Sequence, residues 1–272
     1  MKRRSFIPAA LAFTLLGAPA DAQRFQPTRF SVEVVGRGPD VILIPGLTSG
    51  REVWRGTVAA MPGYRYHLIQ VAGFAGEPAR GNRTGAIVAP LAEEIARYIA
   101  DRHLARPAIV GHSMGGTLAL MIAARNPALA GKVMVVDMLP QPAGLLGGTA
   151  SDFGPLAQML DSQGGRRLFA NLMGAFSPPG TVGRSDTEVV GRAAQELAVT
   201  DLTAELARIR IPLTVAYASP DARSRAAIDR QFARAYSSAR NARLVRIDGS
   251  GHMVMLDQPA RFRAALADFL GR

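Results

Sequence analysis

Ala108-Ile-Val-Gly-His-Ser-Met-Gly-Gly-Thr117 is the stretch from which the rest of the chain can be read. A short apolar run, Ala108 to Val110, stops at Gly111, and a helix-like run, Thr117 to Arg125, follows Gly115-Gly116. Between them, Gly111-His-Ser-Met-Gly115 has the form G-x-S-x-G. A strand before it and a helix after it make that pattern a nucleophile elbow. Ser113 must then sit on a turn so tight that its backbone is strained, with its hydroxyl pushed out above the sheet. Side chains at 111 and 115 would crowd the strand and the helix that meet there, so glycine is the residue that fits. The helix starts under the serine and aims its first N–H groups at the reaction centre.

The chain has 272 residues, 48% of them hydrophobic and 19% charged. That is enough for one large domain with a sizeable core. Its first segment reads as a secretory signal: a basic Met1-Lys-Arg-Arg4, an apolar Ile7 to Ala18, and an A-x-A site at Ala20-Asp21-Ala22. Pro8, Gly17 and Pro19 break the apolar run, which is too short for a membrane span. Residues 1–22 are therefore expected to be a signal peptide and 23–272 the mature domain, exported to the periplasm or secreted. Arg3-Arg4-Ser5-Phe6-Ile7 also resembles the twin-arginine pattern, with Lys2 where serine or threonine is usual, so both export routes fit. The chain has no cysteine, which excludes a cysteine nucleophile, thiolate metal sites and disulfides. No lipid-anchoring cysteine follows the signal, so no stable membrane insertion is expected once the signal is removed. The net charge of +11 comes almost wholly from arginines spread along the sequence. Without a dense basic run or interleaved aromatics, this reads as a solvated surface and not as a nucleic-acid site.

Strand-like runs cover Phe30–Val35, Val41–Ile44, Tyr66–Val71, Ala108–Val110, Lys132–Asp137, Ile211–Ala218 and Leu244–Ile247. Helical spacing covers Val53–Ala60, Ala86–His103, Thr117–Arg125, Arg223–Tyr236 and Pro259–Leu270. The alternation predicts an α/β fold: a mostly parallel central sheet with helices on both faces. It fails once, over 138–210, where Pro155–Leu160, Arg166–Met173 and Glu188–Leu197 read as helical pieces and no strand is convincing. That stretch is expected to be a helical lid inserted above the carboxyl ends of the strands.

A serine needs a base, and the base needs an orienting carboxylate. Four histidines are available. His67 lies within a strand and His103 at a helix end, both structural positions. His112 adjoins Ser113, but its side chain is expected to point elsewhere. His252 follows Asp248-Gly-Ser-Gly251 at the end of a strand, where a base would hang over the site. For the acid there are two candidates, each at the carboxyl end of a parallel strand: Asp221, after Ser219-Pro220, and Asp137, after Val133 to Val136. Chain order does not separate them; Asp221 is preferred. A turn-stabilising or helix-capping aspartate is the alternative use of either.

With these residues in hand, nearly the whole of 23–272 resembles the α/β-hydrolase superfamily. The carrying segments are Ile44-Pro-Gly-Leu47, Gly111-His-Ser-Met-Gly115, Ile211 to Asp221 and Gly251-His252. The resemblance implies an α/β-hydrolase fold with a lid where 138–210 lies. It implies an acid at Asp221, with a minority of members placing it one strand earlier, at a position like Asp137. Many members carry His-Gly after the first buried strand, where this chain has Pro45-Gly46. The oxyanion donors would still be the backbone N–H groups of Leu47 and Met114, being main-chain groups. Serine at 113 argues against the dehalogenase and epoxide hydrolase branches, which use an aspartate nucleophile.

The expected function is that of an exported serine hydrolase cleaving a carboxylic ester or similar small-molecule acyl substrate through Ser113, Asp221 and His252 and an acyl-enzyme. No cofactor or metal is called for, and no metal-binding, phosphate-loop or dinucleotide motif is present. The same residues permit acyl transfer or lactone, amide or C–C cleavage, and a non-catalytic binding protein could keep the fold. The oligomeric state is not encoded in any motif.

Overall fold

The computed structural model describes residues 25–146, 162–165 and 177–271. Seven strands form one sheet: β1 (Phe30–Gly36), β2 (Asp40–Ile44), β3 (Arg65–Val71), β4 (Ala108–His112), β5 (Lys132–Val136), β6 (Leu213–Ser219) and β7 (Ala242–Asp248). Their spatial order is β1-β3-β2-β4-β5-β6-β7. Only β1 runs antiparallel to its neighbour; every other pairing is parallel.

Central strands buried on both faces have no polar alternation to show, and the sequence of β2 says so. Ile42 and Ile44 pack into one apolar cluster, with α2 (Val88–Asp101), α3 (Met114–Arg125) and Phe232 of α5 (Arg225–Ala235). Val41 and Leu43 pack into the other, with Trp54 and with Phe262, Leu266 and Phe269 of α6 (Pro259–Gly271). Every side chain of α3 from Met114 to Ala124 is buried, as expected of a helix that is apolar all round. The short helix expected at Val53–Ala60 divides into a 3-10 turn, Arg51–Trp54, and α1, Arg55–Ala60.

Within 138–210, the first two expected helical pieces lie outside the described residues. The third is α4 (Thr187–Val199), capped by the Asp186 carboxylate on the amides of Glu188 and Val189. No strand occurs among the described residues of this stretch. Helix α4 packs across the start of α2, where the Glu196 carboxylate accepts from the amides of Ile87 and Val88 at 2.7 and 2.8 Å. Among the described residues, no helix is long and apolar enough to cross a membrane.

Parallel register brings chemistry to one edge. Ile44 pairs with Gly111, and His112 with Val136. The chain segments leaving β2, β4 and β5 therefore start side by side: Pro45-Gly46-Leu47, Ser113-Met114 and Asp137. On the far side, Ser219 pairs with Asp248, so the loop carrying His252 leaves from the same edge.

Candidate active site

Ser113 is the N-cap of α3 with φ 54° and ψ −124°, in the left-handed half of backbone space that a side chain rarely enters. Such a conformation costs on the order of 1–3 kcal/mol and persists only where the surroundings enforce it. They do so through Ser113 N–H, which donates to the Val136 carbonyl at 2.9 Å, and through the Ser113 carbonyl, which accepts from Gly116 N–H at 2.7 Å. The glycines act as the sequence implied. A Cβ at 111 would run into the Gly115 carbonyl, and one at 115 into the Ile44 carbonyl.

Two more residues of the same edge have positive φ without being glycine: Thr48 at 61° and Asp137 at 50°. Thr48 follows Leu47 in a turn closed by Ser49 N–H on the Gly46 carbonyl at 3.1 Å. Its buried hydroxyl donates to the Leu47 carbonyl at 2.6 Å and meets the Ser177 hydroxyl at 2.7 Å. The turn bearing the expected donor Leu47 is thereby tied to Ser177, in the middle of the 138–210 stretch. Met114, the other expected donor, is the first residue of α3 and is fully buried.

His252 and Asp137 are brought together. Asp137 Oδ2 lies 2.7 Å from His252 Nδ1. The other carboxylate oxygen accepts from Ala218 N–H at 2.9 Å, and Asp137 N–H donates to the Ala216 carbonyl at 2.7 Å. Both Asp137 and His252 are largely buried, with 9% and 14% of their side chains exposed. One residue on, the Met138 carbonyl accepts from the hydroxyl of Tyr236 at 2.7 Å. Burial and the Asp137 charge raise the pKa of that phenol far above its ordinary value, so it stays a donor.

Asp221, the acid preferred from sequence, is elsewhere. It is exposed, and its Oδ1 accepts from the amides of Arg223 and Ser224 at 2.7 and 2.9 Å. Those amides hold its carboxyl below the usual range. It organises the turn that opens α5 and does not meet His252; the carboxylate on His252 is Asp137. The physical reason is local supply: a short carboxylate just ahead of a helix finds free amides two and three residues on.

The His252 loop is fixed from below. Gly249, at φ 74°, donates to the Ser219 carbonyl at 2.8 Å, and Gln258 donates to the Gly249 carbonyl at 2.9 Å. His112, fully buried, has its ring 4.7 Å from that of His252, and its Nε2 lies 2.8 Å from the His252 carbonyl. Sequence reasoning missed this contact. His67 and His103 are not among the residues brought together here. His67 bridges Tyr98 and Asp40 at 2.8 Å each, at the opposite ends of the strands, and His103 follows α2 with φ 51°.

The arrangement can do nucleophilic chemistry: a strained serine at a helix start, and an imidazole from the same edge with a buried carboxylate on its Nδ1. The comparisons agree on the family. The alpha/beta hydrolase family model matches residues 41–265, and the chain belongs to that family and is a hydrolase. A pimeloyl-(acyl-carrier protein) methyl ester esterase of Aeromonas hydrophila is 36% identical over 99 residues, which is 36% of this chain and 37% of that protein. The esterase of the same name from Aromatoleum aromaticum is 27% identical over 81% of this chain and 94% of its own length. Among solved structures, an enol-lactonase from Burkholderia xenovorans superposes with a TM-score of 0.71 at 19% identity, covering 89% of this chain and 96% of that one. A thermophilic esterase from Thermogutta terrifontis also gives 0.71, at 21% identity, covering 92% and 98%. At such identities the superpositions speak for the fold.

Proposed function

We propose that this hydrolase is a serine esterase in which Ser113 is the nucleophile, His252 the base and Asp137 the orienting acid. The observation that carries the reading is the 2.7 Å contact between Asp137 Oδ2 and His252 Nδ1 at the edge where Ser113 stands on its strained turn. With Nδ1–H donated to the carboxylate, Nε2 of His252 serves as the base. It takes the Ser113 proton as Oγ attacks an acyl carbonyl, and gives it to the departing alkoxide. Water, activated by the same nitrogen, then hydrolyses the acyl-enzyme. The backbone N–H groups of Leu47 and Met114 receive the oxyanion, each at a value on the order of 3 kcal/mol in such sites.

The relatives named as methyl ester esterases favour a carboxylic ester with a small leaving alcohol. The stretch 138–210 acts in this reading as a lid, with α4 seated on the start of α2 through Glu196. Export through the leader at 1–22 is a further part of the proposal, supported by its basic, apolar and A-x-A segments. Amino-terminal sequencing of the protein recovered from periplasm tests it, with Gln23 as the expected first residue.

The enzymatic reading is tested with p-nitrophenyl acetate, butyrate and laurate and a serine-reactive phosphonate, on the wild type and on Ser113→Ala and His252→Ala. Ester turnover and labelling that vanish in both variants support it. A folded wild type that neither turns over an ester nor takes the label favours a binding role.

A further inference from the structure

We propose that His112 is a positioning residue for His252, holding the base through its main-chain carbonyl while Asp137 holds its ring. The proposal rests on the Ser113–His252–Asp137 reading above.

The geometry leaves one assignment of protons. His112 Nε2 lies 2.8 Å from the His252 carbonyl oxygen, and a carbonyl can only accept. Nε2 therefore carries the hydrogen, and Nδ1 is the bare nitrogen. That nitrogen is buried and has no hydrogen-bond partner among the described residues. It faces Gly46, where a Cβ would lie only 3.0 Å from it. A buried ring nitrogen left bare is a cost that a core histidine usually avoids. Here it follows from pointing the other nitrogen at His252.

The contact joins residues 140 apart in sequence and links the two halves of the site. Ser113 is the next residue after His112, so the nucleophile and the clamp on the base share one turn. A displacement of the elbow carries the base with it. Burial and the neighbouring His252 ring push His112 down to about 3, so it stays neutral when His252 gains a proton in the cycle. A neutral donor keeps its hydrogen bond and adds no repulsion to the imidazolium. Lysine or arginine in its place would add a like charge beside that ring.

The test compares His112→Met, which keeps bulk and removes the donor, with His112→Gln, whose amide reaches to the place of Nε2. Turnover of p-nitrophenyl butyrate and the rate of phosphonate labelling are read against pH. The Met variant is expected to lose about 10- to 100-fold in kcat at little change in KM, the size of effect that a base misplaced by about an ångström produces. Its acid limb should move, because the base no longer sits in the same field. The Gln variant should recover most of the loss. A Met variant with wild-type kcat and pH profile, or a Gln variant no better than Met, overturns the proposal. Ser113→Ala is run alongside: turnover that survives there sinks the triad reading and this proposal with it, whereas an inert Ser113→Ala beside a Met variant of wild-type kcat and pH profile overturns the positioning role alone. Should the Met variant fail to fold, 15N spectra of the wild-type histidines decide. Nδ1 of His112 unprotonated supports the clamp, and Nδ1 protonated rules it out.

Discussion

Asp137 reaches the ring of His252 at 2.7 Å although 115 residues separate them. Its place one strand before the loop of Asp221 alters how the carboxylate is held. Asp137 follows directly on a central strand, with β6 bonding its amide and its Oδ1. A loop carboxylate would have to be held by the loop. Here the sheet itself orients the Asp137 carboxylate, and that carboxylate meets the His252 ring.

Gly46→Ala separates activity from stability. The new Cβ would sit 2.9 Å from Ser113 Cβ and 3.0 Å from His112 Nδ1, closer than real contacts of this kind. Something must shift by a few tenths of an ångström, and the candidates are the nucleophile, the clamp and the Leu47 turn. A roughly tenfold or greater loss of kcat is expected, since misplacement on this scale weakens near-attack geometry. The change in melting temperature should be small. Unchanged kcat in this variant would mean that the turn can move without touching the nucleophile.

His112 also sets a pH dependence of stability. Its pKa falls from 6.5 to about 3 in the folded protein, because burial and then the His252 ring disfavour its charged form. Across that window the unfolded chain binds a proton at this ring that the folded chain does not. Stability is complete above the window and falls as pH falls through it, by up to ~1.4 kcal/mol per pH unit from this one site. His67, also lowered by burial, acts in the same direction. Urea midpoints measured between pH 7 and pH 4 should decline, and His112→Gln should decline less steeply. Parallel curves for the two proteins would contradict the assignment.

Glu196 docks α4 on the sheet domain. Its two oxygens serve the amides of Ile87 and Val88, at the start of α2, which have no carbonyl a turn earlier to receive them. Glu196→Ala leaves two partly buried donors unmet and should cost about 2 kcal/mol, or roughly 4–8 °C in melting temperature for a chain of this size. Glu196→Gln, which keeps one acceptor, should recover part of it. A melting temperature unaltered by Glu196→Ala would show that water serves these amides as well.

Most of the sheet was legible because its strands are punctuated. Apolar runs such as Val41–Ile44 stop at Pro45-Gly46, and Ala108–Val110 stop at Gly111. The positions of Ser113 and His252 were legible for a related reason: each stands beside glycines that end a strand. The acid was not. Asp137 and Asp221 both end strands, and sequence order is blind to which side chain is already occupied. The signal available was local: Asp221 precedes Ala-Arg-Ser and a helix, the pattern of a turn aspartate, whereas Asp137 precedes Met-Leu-Pro, with no helix start to serve. The His112 contact had no such signal, because its partner is a main-chain carbonyl in a distant loop.

The central claim is that Asp137, and not Asp221, orients His252. Its most direct test is kcat of Asp137→Asn beside Asp221→Asn on the best p-nitrophenyl ester, with folding checked by melting temperature. The expected result is a loss of about 10³–10⁴-fold for Asp137→Asn, as when an amide imposes the wrong tautomer on a catalytic imidazole. Asp221→Asn should stay within about twofold of wild type, as surface substitutions away from the chemistry do. Full activity in Asp137→Asn, with a collapse in Asp221→Asn, would contradict the account.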